Sequence, residues 1–223
     1  MWLSLAAGAV LAAGTTHTAQ PARFLALGDS YTIGEGVPAH QNWPHQLVAA
    51  LRAQGIAIAD PEIVARTGWT TDELSAAMDA HPFHPPYDLV TLLIGVNNQY
   101  RGHDLQSYRG EFRALLDRAI ALADGDARRV VVVSIPDWSV TRFGRESGRD
   151  AAQIAREIDA FNAAAAEISA AQHVRQVDVT AISRDRGGAT DMLATDGLHP
   201  SAAMYARWTT AIAPMAVSAL QGH

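Results

Sequence analysis

An α/β domain built on a parallel sheet is what this chain predicts, and three observations carry the prediction. Short apolar runs of strand length alternate with amphipathic runs of ten or more residues, the pattern of βαβ units covered by helices on both faces. Two of the short runs, 88–94 (DLVTLLI) and 129–135 (RVVVVSI), are apolar without alternation, as strands buried on both faces are. Finally, 223 residues with 48% hydrophobic content suit one well-buried core and are short for two. No fixed-period repeat or low-complexity linker divides the chain.

The elements follow in order. Residues 1–14 (MWLSLAAGAVLAAG) are apolar and 15–20 polar, similar to a secretory signal with a small-residue cleavage zone after Gly14 or Ala19. No Lys or Arg precedes the run, and it is shorter than the roughly 20 residues a membrane-spanning helix needs. The expectation is a leader over 1–19, export to the periplasm or medium with a cytoplasmic location as the alternative, and one domain over 20–223. A first strand is expected at 24–27, ending at Gly28, and a helix at 42–54 that stops at Gly55. Beyond Asp60-Pro61 a second strand falls around 62–65, and a helix opens at Thr71 with Thr70 or Thr71 as its N-cap. The buried strand 88–94 leads to a long helix over 104–124, and the strand 129–135 to an Ala-rich helix over 149–172. Between these last two, 137–148 (DWSVTRFGRESG) reads as a mobile loop beside the site. A last strand at 174–179 precedes a C-terminal helix that Pro200 begins in its first turn.

Composition removes several kinds of chemistry. The net charge is -6 and no basic cluster stands out, which argues against a nucleic-acid binder. All 17 basic residues are Arg, so Schiff-base catalysis and a P-loop lysine are excluded. Cysteine is absent, which excludes disulfides, thiolate catalysis, Cys-ligated zinc and Fe–S clusters.

In a parallel sheet of this kind ligands bind beyond the carboxyl ends of the strands, so the residues just after each strand matter most. They are Gly28-Asp29-Ser30-Tyr31, Thr67-Gly68-Trp69, Gly95-Val96-Asn97-Asn98 and, after the last strand, Asp196-Gly197-Leu198-His199-Pro200. A serine hydroxyl needs an adjacent base to become a nucleophile, and histidine suits the task. A carboxylate on the other ring nitrogen holds the tautomer and stabilises the imidazolium. Asp196 and His199, three residues apart on one loop, are close enough to pair. Glycine backbone and a carboxamide are suitable donors for an oxyanion. Ser30, His199 and Asp196 are therefore the expected nucleophile, base and orienting acid.

These motifs resemble those of the SGNH, or GDSL, hydrolases. Gly28-Asp29-Ser30 matches the first, Gly68 the second, Gly95-Val96-Asn97 the third and Asp196-x-x-His199-Pro200 the last, in order over about 22–210. The resemblance implies a flavodoxin-like, three-layer α/β/α domain and esterase, lipase, thioesterase or carbohydrate-deacetylase activity without metal or organic cofactor. It also implies an oxyanion hole from the Ser30 and Gly68 backbone NH groups and the Asn97 side chain. Two residues depart from the pattern: Tyr31 stands where Leu is expected, and Asn98 where Asp is common. The second change predicts a looser hold on Asn97. The Gly-x-Ser-x-Gly elbow of the α/β-hydrolases is absent.

Plainer readings stand beside these. Serine after a strand often caps a helix, and loop asparagines form Asx-turns. His81-x-x-His84 has a metal-like spacing, but Pro82, Pro85 and Pro86 make the segment a loop without an accompanying carboxylate pattern. Glu35 either lines the entrance beside Ser30 or shapes a turn. Candidates to touch substrate are Asp29, Tyr31, Trp69, Asn98, Tyr100 and Trp138, with Arg101 and Phe143 nearby and Arg142 and Arg145 as attractors of an anion. The expected partner is a small-molecule, glycan or lipid ester. An acyltransferase with the same triad and a non-catalytic binding module are the alternatives, and the sequence leaves oligomeric state open.

Overall fold

The computed structural model describes residues 20–222; the expected leader over 1–19 lies outside the described residues. Five parallel strands form the sheet: β1 (Phe24–Asp29), β2 (Glu62–Arg66), β3 (Leu89–Leu93), β4 (Val130–Val133) and β5 (Arg175–Val177). Their order is β2-β1-β3-β4-β5, the flavodoxin-like arrangement. Every residue of β1, β3 and β4 is buried. The edge strands β2 and β5 are only partly covered, which is why their sequence signal is weaker.

On one face α2 (Trp43–Ala53) packs against α9 (Ala202–Gln221). On the other lie α3 (Thr71–Ala80), α5 (Leu105–Leu122) and α7 (Ala151–Ala171). The result is three layers, helices over sheet over helices. Helix starts follow the caps in the sequence. Asn42 accepts from the His45 backbone NH, Asp104 from Ser107 and Asp150 from Ala152. Thr70 and Glu73 complete a capping box at α3. Shorter helices sit at the carboxyl end of the sheet: α1 (Ser30–Ile33), α4 (Val96–Tyr100), α6 (Arg142–Glu146) and α8 (Thr180–Arg186).

Two local expectations change. Pro200 does not begin the C-terminal helix. It pairs with Leu193 in an isolated antiparallel bridge, and Ser201 caps α9 by accepting from Met204 NH. The segment 137–148 is not an open loop. Asp137 and Thr141 each accept a backbone NH, and a 3₁₀ turn at Trp138–Val140 leads into α6. Helix α9 itself continues through Pro214. A proline inside a helix costs about 3 kcal/mol, and burial of Met204, Tyr205, Trp208 and Ile212 at about 1.5–3 kcal/mol each outweighs it. Among the described residues no helix is long and apolar enough to cross a membrane.

Candidate active site

The strand order reverses between β1 and β3, and the loops after these two strands frame a crevice there. Ser30 is the first residue after β1, and Asp29 caps the short helix it opens by accepting from Tyr31 NH at 3.0 Å. The Ser30 reading and the plainer capping reading thus separate: the cap is Asp29, and the serine side chain is left to face His199.

His199 stands between the other two groups. Its Nδ1 lies 2.6 Å from Asp196 Oδ2 and its Nε2 lies 2.9 Å from Ser30 Oγ. An ionised carboxylate only accepts, so Nδ1 carries the proton and Nε2 accepts from the serine hydroxyl. Asp196 is held by its own loop, its Oδ1 accepting from Leu198 NH at 2.8 Å and His199 NH at 3.0 Å. Burial pushes its carboxyl up, but the hydrogen bonds from the His199 ring and these two amides together hold it below the usual carboxylate range. Gly197 makes the turn with φ of 73°, and a Cβ there would meet the Arg142 guanidinium at 2.4 Å. Arg142 in turn donates to Thr195 O at 2.9 Å, and Phe143 NH to Gly197 O at 3.0 Å. Helix α6 therefore braces the 196–199 loop.

The opposite rim is the 67–69 loop, whose residues are tied down one by one. Thr67 donates to Glu35, Arg101 Nη2 to Gly68 O at 2.6 Å, and Asn97 Nδ2 to Trp69 O at 2.9 Å. Gly68 has φ of 88°, a left-handed conformation that glycine adopts without strain. Asn97 is in the first turn of α4, and its amide nitrogen has a second hydrogen to offer.

Ser30, Gly68, Asn97 and His199 line one cavity of about 210 Å³, with Tyr31, Tyr100, Trp138 and Phe143 along its walls. Thr67, Val96 and Leu198, not singled out from the sequence as wall residues, complete it. Three expected substrate contacts lie outside the lining. Asp29 is fully buried beneath Ser30 with Oδ2 unpartnered, and burial raises its carboxyl to about 7 against the lowering pull of Tyr31 NH. Trp69 offers the site only its carbonyl, to Asn97. Asn98 turns away to α3, accepting from Thr71 NH at 3.1 Å and donating to Thr71 Oγ1 at 2.6 Å. The expected looser hold on Asn97 is therefore replaced by a second tie between α4 and α3. Arg142 and Arg145 bind backbone carbonyls of Thr195 and Val140 and do not line the cavity.

Trp138 is fixed from behind. Its indole NH donates to Gln99 Oε1 at 2.8 Å, and Gln99 Nε2 donates to Glu157 at 2.6 Å. Gln99 had no signal in the sequence beyond its place after the third motif. Elsewhere, His81 and His84 have different neighbours. His81 Nε2 lies 2.7 Å from Glu62 and its ring packs on Phe83, while the His84 carbonyl accepts from Arg23.

A serine, histidine and aspartate linked in this way at the switch point of a parallel sheet are the parts of a serine hydrolase. The comparisons give the family. The model of the GDSL-like Lipase/Acylhydrolase family matches residues 26–207, and the chain belongs to that family, whose members are serine hydrolases acting on esters. Among curated proteins none matches the chain. Solved structures share the fold: TesA, at 21% identity and TM-score 0.68, covering 86% of this chain and 97% of that one. A lipase/acylhydrolase from Enterococcus faecalis matches at 19% and 0.69, covering 86% and 94%. An acetyl xylan esterase from Geobacillus stearothermophilus matches at 20% and 0.64, covering 88% and 95%.

Proposed function

We propose that this chain hydrolyses carboxylic esters with short acyl groups through an acyl-enzyme on Ser30. The observation that carries the reading is the continuous chain from Asp196 through His199 to Ser30, 2.6 and 2.9 Å, opening on a 210 Å³ cavity. Ser30 Oγ attacks the ester carbonyl as its proton passes to His199 Nε2, and Asp196 stabilises the imidazolium. The backbone NH groups of Ser30 and Gly68 and the second Asn97 amide hydrogen receive the oxyanion. His199 then protonates the departing alcohol. Water enters, gives its proton to His199 and releases the acid, and Ser30 takes the proton back. No step needs a metal or organic cofactor.

Cavity size supports the acyl length. Ligand pockets commonly run from about 300 to 1,000 Å³, so 210 Å³ suits an acetyl or butyryl group better than a fatty chain. The acetyl xylan esterase that shares the fold is named for an acyl group of that size. Hydrolysis of p-nitrophenyl esters from acetate to palmitate, with Ser30→Ala as control, tests the reading. Activity concentrated at the short esters and lost in the variant is expected. A variant that keeps full activity would sink the mechanism.

A further inference from the structure

Tyr100 is the large apolar side chain left exposed among the described residues, at 48%, and it stands at the lip of the cavity. Tyr100 also lines a second space, a groove of about 500 Å³. Leu105, Ala160 and Phe161 give that groove an apolar surface, and Arg101, His103 and Arg149 surround it with basic groups. Tyr100 is the one residue that the two linings share. We propose that Tyr100 is a specificity-determining residue that closes the acyl pocket and sets the longest acyl group the enzyme accepts. The inference rests on the function proposed above and adds the residue that limits its substrates.

The neighbours explain why Tyr100, and not Trp138, fills this role. Trp138 is buried and held by the hydrogen bond to Gln99. The Tyr100 side chain is held only through its ring: edge-on to Trp138 at 5.5 Å, tilted against Phe143 at 6.4 Å, and with the Arg149 guanidinium 5.7 Å from its centroid. Among the described residues its hydroxyl has no hydrogen-bond partner, so the work of closing the pocket falls to the ring's bulk. Arg149 also lies 5.2 Å from the Trp138 ring, donates to the Tyr100 carbonyl and pairs with Glu157. Trp138 and Arg149 are thus each anchored without the Tyr100 ring, and removing that ring joins pocket and groove while leaving both in place. Its position in the last turn of α4, three residues beyond Asn97, puts it near the reacting carbonyl without a part in the proton transfers.

The test compares the parent with Tyr100→Ala and Tyr100→Phe on p-nitrophenyl acetate, butyrate, octanoate and decanoate. Active enzyme is counted by fluorophosphonate titration of the serine. In Tyr100→Ala the ratio of kcat/KM for decanoate over butyrate should rise about tenfold or more, the scale on which pocket walls discriminate methylenes. Tyr100→Phe should keep the parent profile, because the ring forms the barrier. An Ala variant that titrates fully and turns over esters with the parent's chain-length profile would overturn the proposal alone. A parent that turns over none of the esters would overturn the functional reading, and this proposal with it.

Discussion

Glu62, at the amino-terminal edge of the sheet, has both carboxylate oxygens occupied, one by His81 at 2.7 Å and the other by the Tyr87 hydroxyl at 2.8 Å. Asp29, at the carboxyl-terminal edge, leaves one oxygen buried without a partner. The same contrast runs through both edges. Arg23 caps the amino edge by donating its backbone NH to Asp88 and laying its guanidinium over the Tyr87 ring. At the other edge Ser30 and His199 complete their chain of hydrogen bonds at an open cavity, and Asn97 has an amide hydrogen to spare. Polar groups that answer one another hold the fold, whereas polar groups left facing a cavity are available to a substrate. His81 shows the difference, because its ring nitrogen is taken up by Glu62.

Substitutions at the two edges should separate these roles. The largest effect is expected for Ser30→Ala, which should lower kcat/KM for a short ester by about 10⁴-fold or more with little change in melting temperature. His199→Ala should do the same, and the double variant should be no worse than either alone, since the pair acts as a unit. Additive losses in stopped kinetics would mean that the two side chains act separately.

Asp29 predicts a pH effect on stability. Its carboxyl titrates near 7 in the folded protein and near 3.8 in the unfolded chain. Between those values the native state holds a proton that the unfolded state has lost, so stability should fall as pH rises from about 4 to 7 and then level off. Three units correspond to as much as about 4 kcal/mol. Asp196 contributes with the opposite sign: its depressed pKa gives stability that is lost as pH falls into the acid range. Urea melts at pH 4.5, 6 and 7.5 should show the Asp29 slope in the parent and lose it in Asp29→Asn. An unchanged slope in the variant would place its source elsewhere.

Asn97→Ala should cost about 10²–10³-fold in kcat with KM nearly unchanged, the signature of a donor that acts on the transition state. A loss confined to KM would instead make Asn97 a ground-state binding residue. Smallest of all, Glu62→Gln should leave kcat/KM within about twofold while lowering stability by about 1 kcal/mol in urea titration, as weakened half-buried hydrogen bonds do. A large kinetic loss there would break the division between the two edges.

Much of this division was legible in the residues. The runs 88–94 and 129–135 became β3 and β4 because central strands are covered on both faces, and Ser30, Asn97 and His199 follow strands or precede a helix as expected. What the sequence does not carry is direction. Asn97 and Asn98 are neighbours on α4 and so point about 100° apart, one to the cavity and one to Thr71. Which of the two faces the cavity depends on how α4 packs against α3. Val96 and Leu198 become walls for the same reason, through packing between segments about a hundred residues apart. Pro200 misled because a first-turn proline and a proline just outside a capped helix look alike until Ser201 is seen to accept from Met204.

The link between Ser30 and His199 spans 169 residues, and that separation orders events during synthesis. The serine follows the first strand of the sheet, and the histidine is made much later, just ahead of α9. At about 5–20 residues per second, the hydroxyl waits on the order of 10–30 s for its imidazole partner. In the proposed mechanism the nascent chain carries an unarmed nucleophile during that interval, and ester cleavage waits until the 196–199 loop has reached Ser30.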